Sequence, residues 1–342
     1  MRGFTALARL LLVPLLLAAA FSDFLSPSPP DQLDLNQFYS PPTRIHFFDD
    51  QWNFHLRPFV YRLELIDPQD VRYHQHREEI YNLNFFPRGY PYRLLGLIPA
   101  SRHLLGCSVP GVFHPWGTDD LGRDVLARTL AGARSSMLVL VLGVIIYFVF
   151  GTTVGTLAGM NGGWMDTLLM RFSEFILALP ALYLVLAMRA LLPPQLPFWQ
   201  MAFLTAVTIA AVTWPPMARG VRGLILQTRN ANYVEAARAL GASPWQVFRR
   251  HLIPVMAPFS LAQAAVASPV FILGEVILSF LNVGFQDSSA SWGAMLRTLM
   301  QDPRVLTDFW WNLSPLAFVF ATLLCLTGFS RRWRKGGPNQ LA

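Results

Sequence analysis

The residues of this chain whose types and spacing could do chemistry are few, and the first of them suggest metal binding. Tyr73-His74-Gln75-His76 places two histidines two positions apart. Alternate residues of a β-strand share one face, so both imidazoles could reach one metal ion. Protein zinc sites use three or four protein ligands, and no third ligand accompanies this pair. Solvated surface histidines are therefore the default interpretation.

Motifs for other chemistry are absent from the sequence. It contains no Gly-x-x-x-x-Gly-Lys-Ser/Thr phosphate loop, no His-Glu-x-x-His zinc motif and no Gly-x-Ser-x-Gly nucleophile elbow. The two cysteines, Cys107 and Cys325, have no metal-binding or redox spacing. The chain is therefore predicted to be non-catalytic and to use no cofactor.

A basic, polar segment at residues 219–254 has a pattern that could serve another protein. It contains Glu235-Ala236-Ala237, with Asn232 as a candidate helix cap. Gly241 can end a helix with positive φ, and Ser243-Pro244-Trp245-Gln246 matches a capping box with proline at the first helical position. The segment is predicted to form two short helices joined at the glycine and closed by Pro254.

Composition places the elements around this segment in a membrane. The chain has 342 residues, of which 53% are hydrophobic and 14% are charged, whereas soluble domains carry about 25% charged residues. Several runs without Asp, Glu, Lys or Arg reach the ~20 residues that a bilayer span needs. They are 135–165, 190–218, 252–274 and 309–330, with a shorter run at 175–188 and an N-terminal candidate at 3–22 interrupted by Arg9.

The fold class predicted from these runs is an all-α membrane protein with about six transmembrane helices. The N-terminal candidate leaves an alternative, because Arg2 and Arg9 before Ala18-Ala19-Ala20 are also typical of a cleaved signal peptide. Retention of residues 1–22 as a first transmembrane helix is the preferred interpretation, and the six-span count depends on it.

The net charge of +7 is sorted by segment, which argues against nucleic-acid binding. Residues 23–115 carry ten acidic and eight basic residues, whereas 219–251 carry six arginines and one glutamate. The C-terminal residues 331–335 add Arg331, Arg332, Arg334 and Lys335. Basic loops lie on the cytoplasmic side of membranes, so six spans with both termini in the cytoplasm are predicted.

Two segments before the long apolar runs are assigned to the outer side and to the membrane surface. Residues 23–115 are rich in aromatic residues and include the alternating stretch 59–65, so they are predicted to form a small β-rich extracytoplasmic domain. Residues 116–134 are predicted to form an interfacial amphipathic helix, capped by Asp119 or Asp120, with Arg123, Asp124 and Arg128 away from its apolar side.

The residues of these segments resemble one family. Glu235, Ala236, Ala237, Gly241 and Leu252-Ile253-Pro254 resemble the EAA loop of membrane subunits of bacterial ATP-binding-cassette (ABC) importers. Other stretches are similar to the signature of the C-type permease subunit of dipeptide/oligopeptide importers. The matching signature residues are Gly117, Thr118, Asp119, Gly122, Arg123, Asp124, Gly132, Ala133, Arg134, Asp166, Arg171, Trp292 and Gly293. The chain departs from that pattern at Asn282 and at 287–289, and its segment 23–111 is longer than usual for the family.

The resemblance implies a multi-pass subunit of the bacterial inner membrane that forms half of a translocation pathway. The implied divisions are a five-helix permease core at 135–330, containing the EAA loop at 219–254, and a basic cytoplasmic tail at 331–342. The implied partners are a homologous B-type permease, cytoplasmic ATP-binding subunits, an extracytoplasmic solute-binding protein and the lipid bilayer. The residues implied to contact the ATPase are Glu235, Ala236, Ala237, Arg238, Gly241 and Ser243.

Peptides are the substrate class that the resemblance favours, with nickel chelates, peptide antibiotics and oligosaccharides as alternatives within the same importer class. A membrane-anchored enzyme or sensor would need a chemical motif in 23–115, and none is found there. A secondary transporter would need buried titratable residues or an inverted repeat. Arg189 and Glu275 lie near the ends of apolar runs and are interpreted as interfacial anchors, which disfavours that alternative.

Overall fold

The computed structural model describes residues 13–94, 97–108, 111–191, 193, 196–286 and 289–335. These residues form two compact units. The helical unit contains Leu138–Glu275 and the described residues from Leu323 onward. The mixed unit contains the described residues up to Met137 together with Val276–Thr322.

Antiparallel β-strands build much of the mixed unit. The strands of the described residues are β1 (His46–Phe48), β2 (Phe54–Asp67), β3 (Arg72–Phe85), β4 (Arg88–Leu94), β5 (Ile98–Arg102) and β6 (Leu105–Cys107). Four of them pair in the order β1-β2-β3-β6, and β4 pairs with β5. The predicted β-rich domain is therefore present, and its placement outside the membrane stays a prediction.

The long β2–β3 pair supplies a small apolar core of its own. Phe59 lies opposite Asn82 and Tyr61 opposite Ile80, and the register shifts between Tyr61 and Arg62. Val60 and Leu83 pack with Phe113 in a buried cluster. The alternating stretch 59–65 thus lies within a strand, as its period-two pattern predicts.

Helices account for most of the rest of the chain. Residues 13–20 are helical, and the other helices are α1 (Ser22–Leu25), α2 (Val125–Asn161), α3 (Gly163–Ala178), α4 (Ala181–Ala190), α5 (Phe198–Thr213), α6 (Pro215–Arg229), α7 (Asn232–Ala239), α8 (Pro244–Val247), α9 (Ile253–Phe280), α10 (Trp292–Leu296), α11 (Thr298–Gln301) and α12 (Ser314–Lys335). Single 3-10 turns cover Leu35–Gln37, Pro303–Leu306 and Trp310–Leu313. The basic residues at 331–335 continue the backbone of α12, and 336–342 lie outside the described residues.

Within the described residues, three helices are long and apolar enough to cross a bilayer: Val125–Asn161, Pro244–Phe280 and Trp310–Ser330. Two helix pairs pass the same criteria only together, α3 with α4 and α5 with α6, and they bend by 96° and 52°. Counting each pair as one span gives five. The sixth predicted span, at 1–22, falls largely on residues outside the described part of the chain.

Proline explains why both pairs are bent. The break after α3 lies at Leu179-Pro180, and the break after α5 lies before Pro215. Proline lacks an N–H group and clashes with the preceding turn, so a helix ends or kinks where it occurs. The apolar runs at 175–188 and 190–218 are therefore not straight helices.

The structure has no separate helix over 116–134. Residues 117–124 form a compact loop, closed by a β-bridge between Thr118 and Asp124, and α2 starts at Val125 and continues unbroken to Asn161. Gly117 and Gly122 have φ values of +69° and +71°, which a right-handed helix cannot accommodate. The helical pattern in the sequence was thus correct only from Val125 onward.

Candidate functional site: the Gly241 loop and the signature loop

The Gly241 loop, residues 232–252, has the predicted helix–glycine–helix form. Gly241 has a φ of +87°, and its N–H donates to the Arg238 carbonyl at 2.9 Å. Ser243 N–H donates to Gln246 Oε1 (2.7 Å), and Gln246 N–H donates to Ser243 Oγ (3.3 Å). The capping box is therefore formed, and it fixes the start of α8 directly after the glycine.

Two details of this loop differ from the prediction. Asn232 does not cap α7: the N-cap position is Ala231, with no side-chain hydrogen bond. Pro254 does not close the loop either, because α8 passes through a π turn at Phe248–Leu252 directly into α9. The wide π turn lies immediately before the proline, at the place where an ordinary turn would clash with its ring.

Few side chains of the Gly241 loop are buried. Val234, Val247 and Leu252 are buried, and Val247 and Leu252 line a cavity of about 270 Å³ with Arg229 and Arg238. By contrast, Leu240 is 90% exposed and Trp245 is 64% exposed. Of the residues predicted to contact a partner, Glu235, Ala236, Arg238, Gly241 and Ser243 are exposed and Ala237 is half-buried.

A bidentate ion pair joins α3 to α6, the helix that leads into the Gly241 loop. Arg222 Nε lies 2.5 Å from Asp166 Oδ1, and Arg222 Nη2 lies 2.6 Å from Asp166 Oδ2. Arg229, two helical turns further along α6, donates to the Gly159 carbonyl at 2.9 Å. Sequence reasoning identified Asp166 but missed Arg222, although the arginine lies in the basic segment before the loop.

Arg171, another signature residue on α3, has a different environment. Its guanidinium lies 2.9 Å from Glu174 on the same helix, and both side chains are exposed. Exposed pairs of this kind contribute about 0.2–1 kcal/mol. Arg171 therefore does not connect α3 to another described element.

The signature loop, residues 117–124, is held by a buried ionic network. Asp119 Oδ1 accepts from the backbone N–H groups of Leu121 and Arg123, and its Oδ2 lies 2.7 Å from Arg123 Nε. Arg128 Nε lies 3.6 Å from the same carboxylate, and Arg128 is 1% exposed. Arg123 and Arg128, predicted to lie away from the apolar side of a helix, are thus buried inside the folded loop and the start of α2.

Asp124 and Arg128 connect this loop to segments on either side. Asp124 Oδ1 accepts from Ala127 N–H (2.8 Å) and caps α2, so the predicted cap at Asp119 or Asp120 is wrong. Its Oδ2 lies 2.9 Å from His114 Nδ1. Arg128 Nη1 lies 3.1 Å from Asp31, whose pKa is raised by burial although the Arg128 guanidinium opposes that change.

The remaining signature residues make close backbone contacts in the mixed unit. Thr118 N–H donates to the Ser40 carbonyl, and Ser40 N–H donates to the Thr118 hydroxyl. Trp311 Nε1 donates to the Thr118 carbonyl. Trp292 Nε1 donates to the Thr129 carbonyl (3.0 Å), which brings its ring against Gly132 on α2. Three further signature residues share this part of the unit: Ala133 is buried, Arg134 pairs with Asp23 at 3.0 Å, and Gly293 lies against Val276.

Gly122→Ala is expected to destabilise the mixed unit by about 2–3 kcal/mol, because a Cβ would be strained at a φ of +71° and would collide with the Asp34 carbonyl. Thermal unfolding of the purified chain measures this effect. Gly223→Ala is the matched control, since a Cβ on Gly223 of α6 meets no atom within 4 Å. There the substitution should be neutral or stabilising by up to about 1 kcal/mol; equal losses at both positions would contradict the assignment.

Two charged residues that flank the apolar runs are buried in the protein. Arg189 is 4% exposed and donates to the Pro193 carbonyl at 3.1 Å, and Glu275 is 0% exposed. Glu275 lies within α9, which continues to Phe280. Its interpretation as an interfacial anchor is wrong, so the charge pattern of the spans no longer argues against a secondary transporter.

The histidine pair of β3 has ordinary partners. His76 Nε2 lies 2.6 Å from Glu64, and the rings of His74 and His76 contact each other edge to face. Over the described ranges, no group of three His, Cys, Asp or Glu side chains could hold a metal ion. The candidate site is therefore described by its packing and charge, not by reactive groups.

Comparison with known proteins identifies the family. The protein-family model described as "Binding-protein-dependent transport system inner membrane component" matches residues 151–333. The chain is 37% identical to the dipeptide transport system permease protein of Bacillus subtilis over 63% of this chain and 65% of that protein, which is just under two thirds of its length. It is 35% identical to the oligopeptide transport system permease protein of Haemophilus influenzae over 70% of this chain and 73% of that protein. It is also 35% identical to the probable D,D-dipeptide transport system permease protein of Escherichia coli, over 65% of this chain and 70% of that protein. The chain therefore belongs to the family of binding-protein-dependent transport system inner membrane components.

Proposed function

We propose that this chain is the C-type permease subunit of a bacterial ABC importer that carries peptides across the inner membrane. The relatives named for dipeptide and oligopeptide transport support the substrate class. Concentrative uptake needs energy, and the sequence has no phosphate-binding loop. Separate cytoplasmic ATP-binding subunits therefore supply it, a B-type permease completes the pathway, and a solute-binding protein delivers the peptide.

The observation that carries this proposal is the exposure of the Gly241 loop. Leu240 and Trp245 are large apolar side chains that remain exposed on either side of a fixed glycine turn. Clustered exposed apolar groups with polar neighbours mark protein-interaction sites. The adjacent Ala236 and Ala237 have small side chains, which permits a partner to approach the backbone closely.

The charge pattern orients the proposed subunit. The basic segment 219–251 contains the Gly241 loop, so the positive-inside rule assigns that loop to the cytoplasm, where the ATPase is. Residues 23–115 then lie on the outer side, with both termini inside. In a chain whose Cys107 and Cys325 are replaced by serine, a cysteine introduced at Ser243 should react with membrane-impermeant maleimide in inverted vesicles and not in intact spheroplasts; the reverse result would contradict this topology.

Reconstitution tests the function. The chain is purified with the permease and ATPase subunits encoded beside it, placed in liposomes, and supplied with the binding protein and a labelled dipeptide. We expect ATP-dependent accumulation of the dipeptide and stimulation of ATP hydrolysis by the loaded binding protein. Uptake by the lone chain without nucleotide, or failure of the chain to associate with any ATPase, would refute the proposal.

The Asp166–Arg222 pair is expected to transmit force between α3 and the Gly241 loop. Because the side chains of this pair are partly exposed, its loss should cost about 1 kcal/mol, less than a fully buried charged pair. Asp166→Asn should therefore lower ATP-driven uptake about three- to tenfold at unchanged membrane level. Exchange of the two residues, Asp166→Arg with Arg222→Asp, should restore part of the loss. Uptake assays on Asp166→Arg, on Arg222→Asp and on the double variant give the coupling energy as a double-mutant cycle.

Arg171→Gln is the matched control for this pair. Arg171 lies on the same helix, and its ion pair with Glu174 is exposed and local. Uptake should change by less than about twofold, since such pairs contribute little. If Arg171→Gln and Asp166→Asn reduce uptake equally, α3 acts through its overall charge and not through the pair with Arg222.

A further inference from the structure

A cavity of about 360 Å³ lies beside the signature loop in the mixed unit. Its wall comes from five parts of the chain: residues 27–34, the start of β4, residues 103–107 around β6, residues 111–114, and the signature loop with Gly122 and Asp124. Most of the wall thus belongs to the β-rich segment, which is longer than usual for the resembled family. The cavity is near the lower end of the roughly 300–1,000 Å³ that ligand pockets occupy.

Two buried polar atoms of this wall have no hydrogen-bond partner among the described residues: His114 Nε2 and Ser28 Oγ. His114 is 7% exposed and lines both this cavity and an adjoining one of about 230 Å³. Buried polar groups are nearly always hydrogen-bonded in folded proteins. Two unsatisfied atoms on one cavity wall therefore indicate a site for a polar ligand.

The partner of the other ring nitrogen fixes what His114 can accept. Asp124 Oδ2 lies 2.9 Å from Nδ1, and a carboxylate can only accept, so Nδ1 carries the proton. In the neutral ring, Nε2 is then an acceptor and calls for a hydrogen-bond donor. The Asp34 carboxylate on the same wall adds negative charge, which favours a donor that is a cation.

The opposite charge is also present on the wall. Arg88, at the start of β4, lines the cavity with a guanidinium group that has five N–H donors and no acceptor. Such a group suits a carboxylate, which it can bind through two parallel hydrogen bonds.

We propose that this cavity binds a small zwitterion, whose α-ammonium group is taken by His114 and Asp34 and whose carboxylate is taken by Arg88. Free amino acids and dipeptides share this chemistry and this size. Because Nε2 is buried, the ligand reaches it after a local shift of the cavity wall. Binding by this chain alone goes beyond the proposed transport function and gives the β-rich segment a role.

Calorimetric titration of the full-length chain in lipid nanodiscs, without ATPase subunits, tests the site. Ala-Ala is expected to bind, and N-acetyl-Ala-Ala, which lacks the ammonium group, at least tenfold more weakly. His114→Asn keeps a donor toward Asp124 but removes Nε2, and it should weaken binding of Ala-Ala at least tenfold. Free alanine distinguishes the sources: binding equal to that of Ala-Ala assigns a free amino acid, and weaker binding assigns a peptide.

His76→Asn is the matched control, because this histidine lies on β3 and does not line the cavity. It should bind Ala-Ala as the unmodified chain does. If His114→Asn fails to fold by circular dichroism, Arg88→Gln at the exposed edge of the wall decides and should weaken binding about fivefold or more. Absence of binding by the unmodified chain, or binding by both His114→Asn and Arg88→Gln as tight as that of the unmodified chain, overturns the proposal independently of any transport result.

Discussion

Gly241→Pro is expected to reduce ATP-driven peptide uptake at least tenfold while the protein still enters the membrane. Proline fixes φ near −65° and has no N–H group, whereas Gly241 has a φ of +87° and donates to the Arg238 carbonyl. The turn between α7 and α8 must therefore change direction. The exposed Leu240 and Trp245 would then no longer present one surface to the ATPase, and hydrolysis would continue without transport.

Two further variants calibrate that result. Gly241→Ala retains the N–H group, and its Cβ meets no atom within 4 Å, so only backbone strain of about 1 kcal/mol is added. Its uptake should lie between those of Gly241→Pro and the unmodified chain. Glu235→Lys reverses an exposed charge in the first turn of α7 and should also uncouple hydrolysis from uptake. Normal uptake by Gly241→Pro and Glu235→Lys would count against the assigned role of the loop.

Asp119→Asn is expected to destabilise the mixed unit by roughly 3–5 kcal/mol, as when one partner of a buried ionic network is removed. The neutral amide keeps the shape of the side chain but leaves the buried Arg123 and Arg128 without the carboxylate that lies between them. A loss of this size is a large fraction of a typical folding stability of 5–15 kcal/mol. Thermal unfolding and the amount of protein in the membrane measure it.

Asp70→Asn is the matched control for Asp119→Asn. Asp70 also pairs with an arginine in the mixed unit, Arg72 at 3.0 Å, but both side chains are exposed. The loss there should stay within about 1 kcal/mol. Similar losses at Asp70 and Asp119 would mean that the network around the signature loop contributes only as surface charges do.

The Gly241 loop was predictable from the sequence because its signals are local. A glycine at a helix end and a Ser-Pro-x-Gln start act within a few residues, so spacing alone fixes the turn and the capping box. The end of the loop was mispredicted for a different reason. Whether Pro254 ends a helix depends on whether the preceding turn can widen, and the π turn at Phe248–Leu252 allows α8 to continue.

The signature loop was misread because its conformation depends on residues that are distant in the sequence. Thr118 is bonded to Ser40, 78 residues earlier, and to Trp311, 193 residues later. Helical periodicity carried the predicted helix back through Gly117 and Gly122, with Asp119 or Asp120 as its cap and Arg123 away from its apolar side. A pair of glycines flanking a charged stretch was the available signal for a tight buried loop.

The strands and the apolar helices were likewise predictable only in part. The alternation in 59–65 predicted a strand, but the pairing of β3 with β6 and of β4 with β5 joins segments whose order cannot be read from periodicity. Apolar runs located the helices that are long and apolar enough to cross a membrane, and their charge content did not reveal that Glu275 is buried. Burial of that carboxylate follows from packing between helices, which a single sequence does not encode locally.

The unbroken passage from α8 through the π turn into α9 has a mechanical consequence. Pro244–Phe280 is one helical rod of 37 residues, roughly 55 Å long at a rise of about 1.5 Å per residue. A bilayer core about 30 Å thick can cover only part of this helix, so roughly 25 Å of its length extends beyond the hydrocarbon region. If a partner moves Trp245, we expect the movement to reach the membrane-spanning part through continuous helical backbone, with Pro258 and Pro269 as the points where that helix can bend.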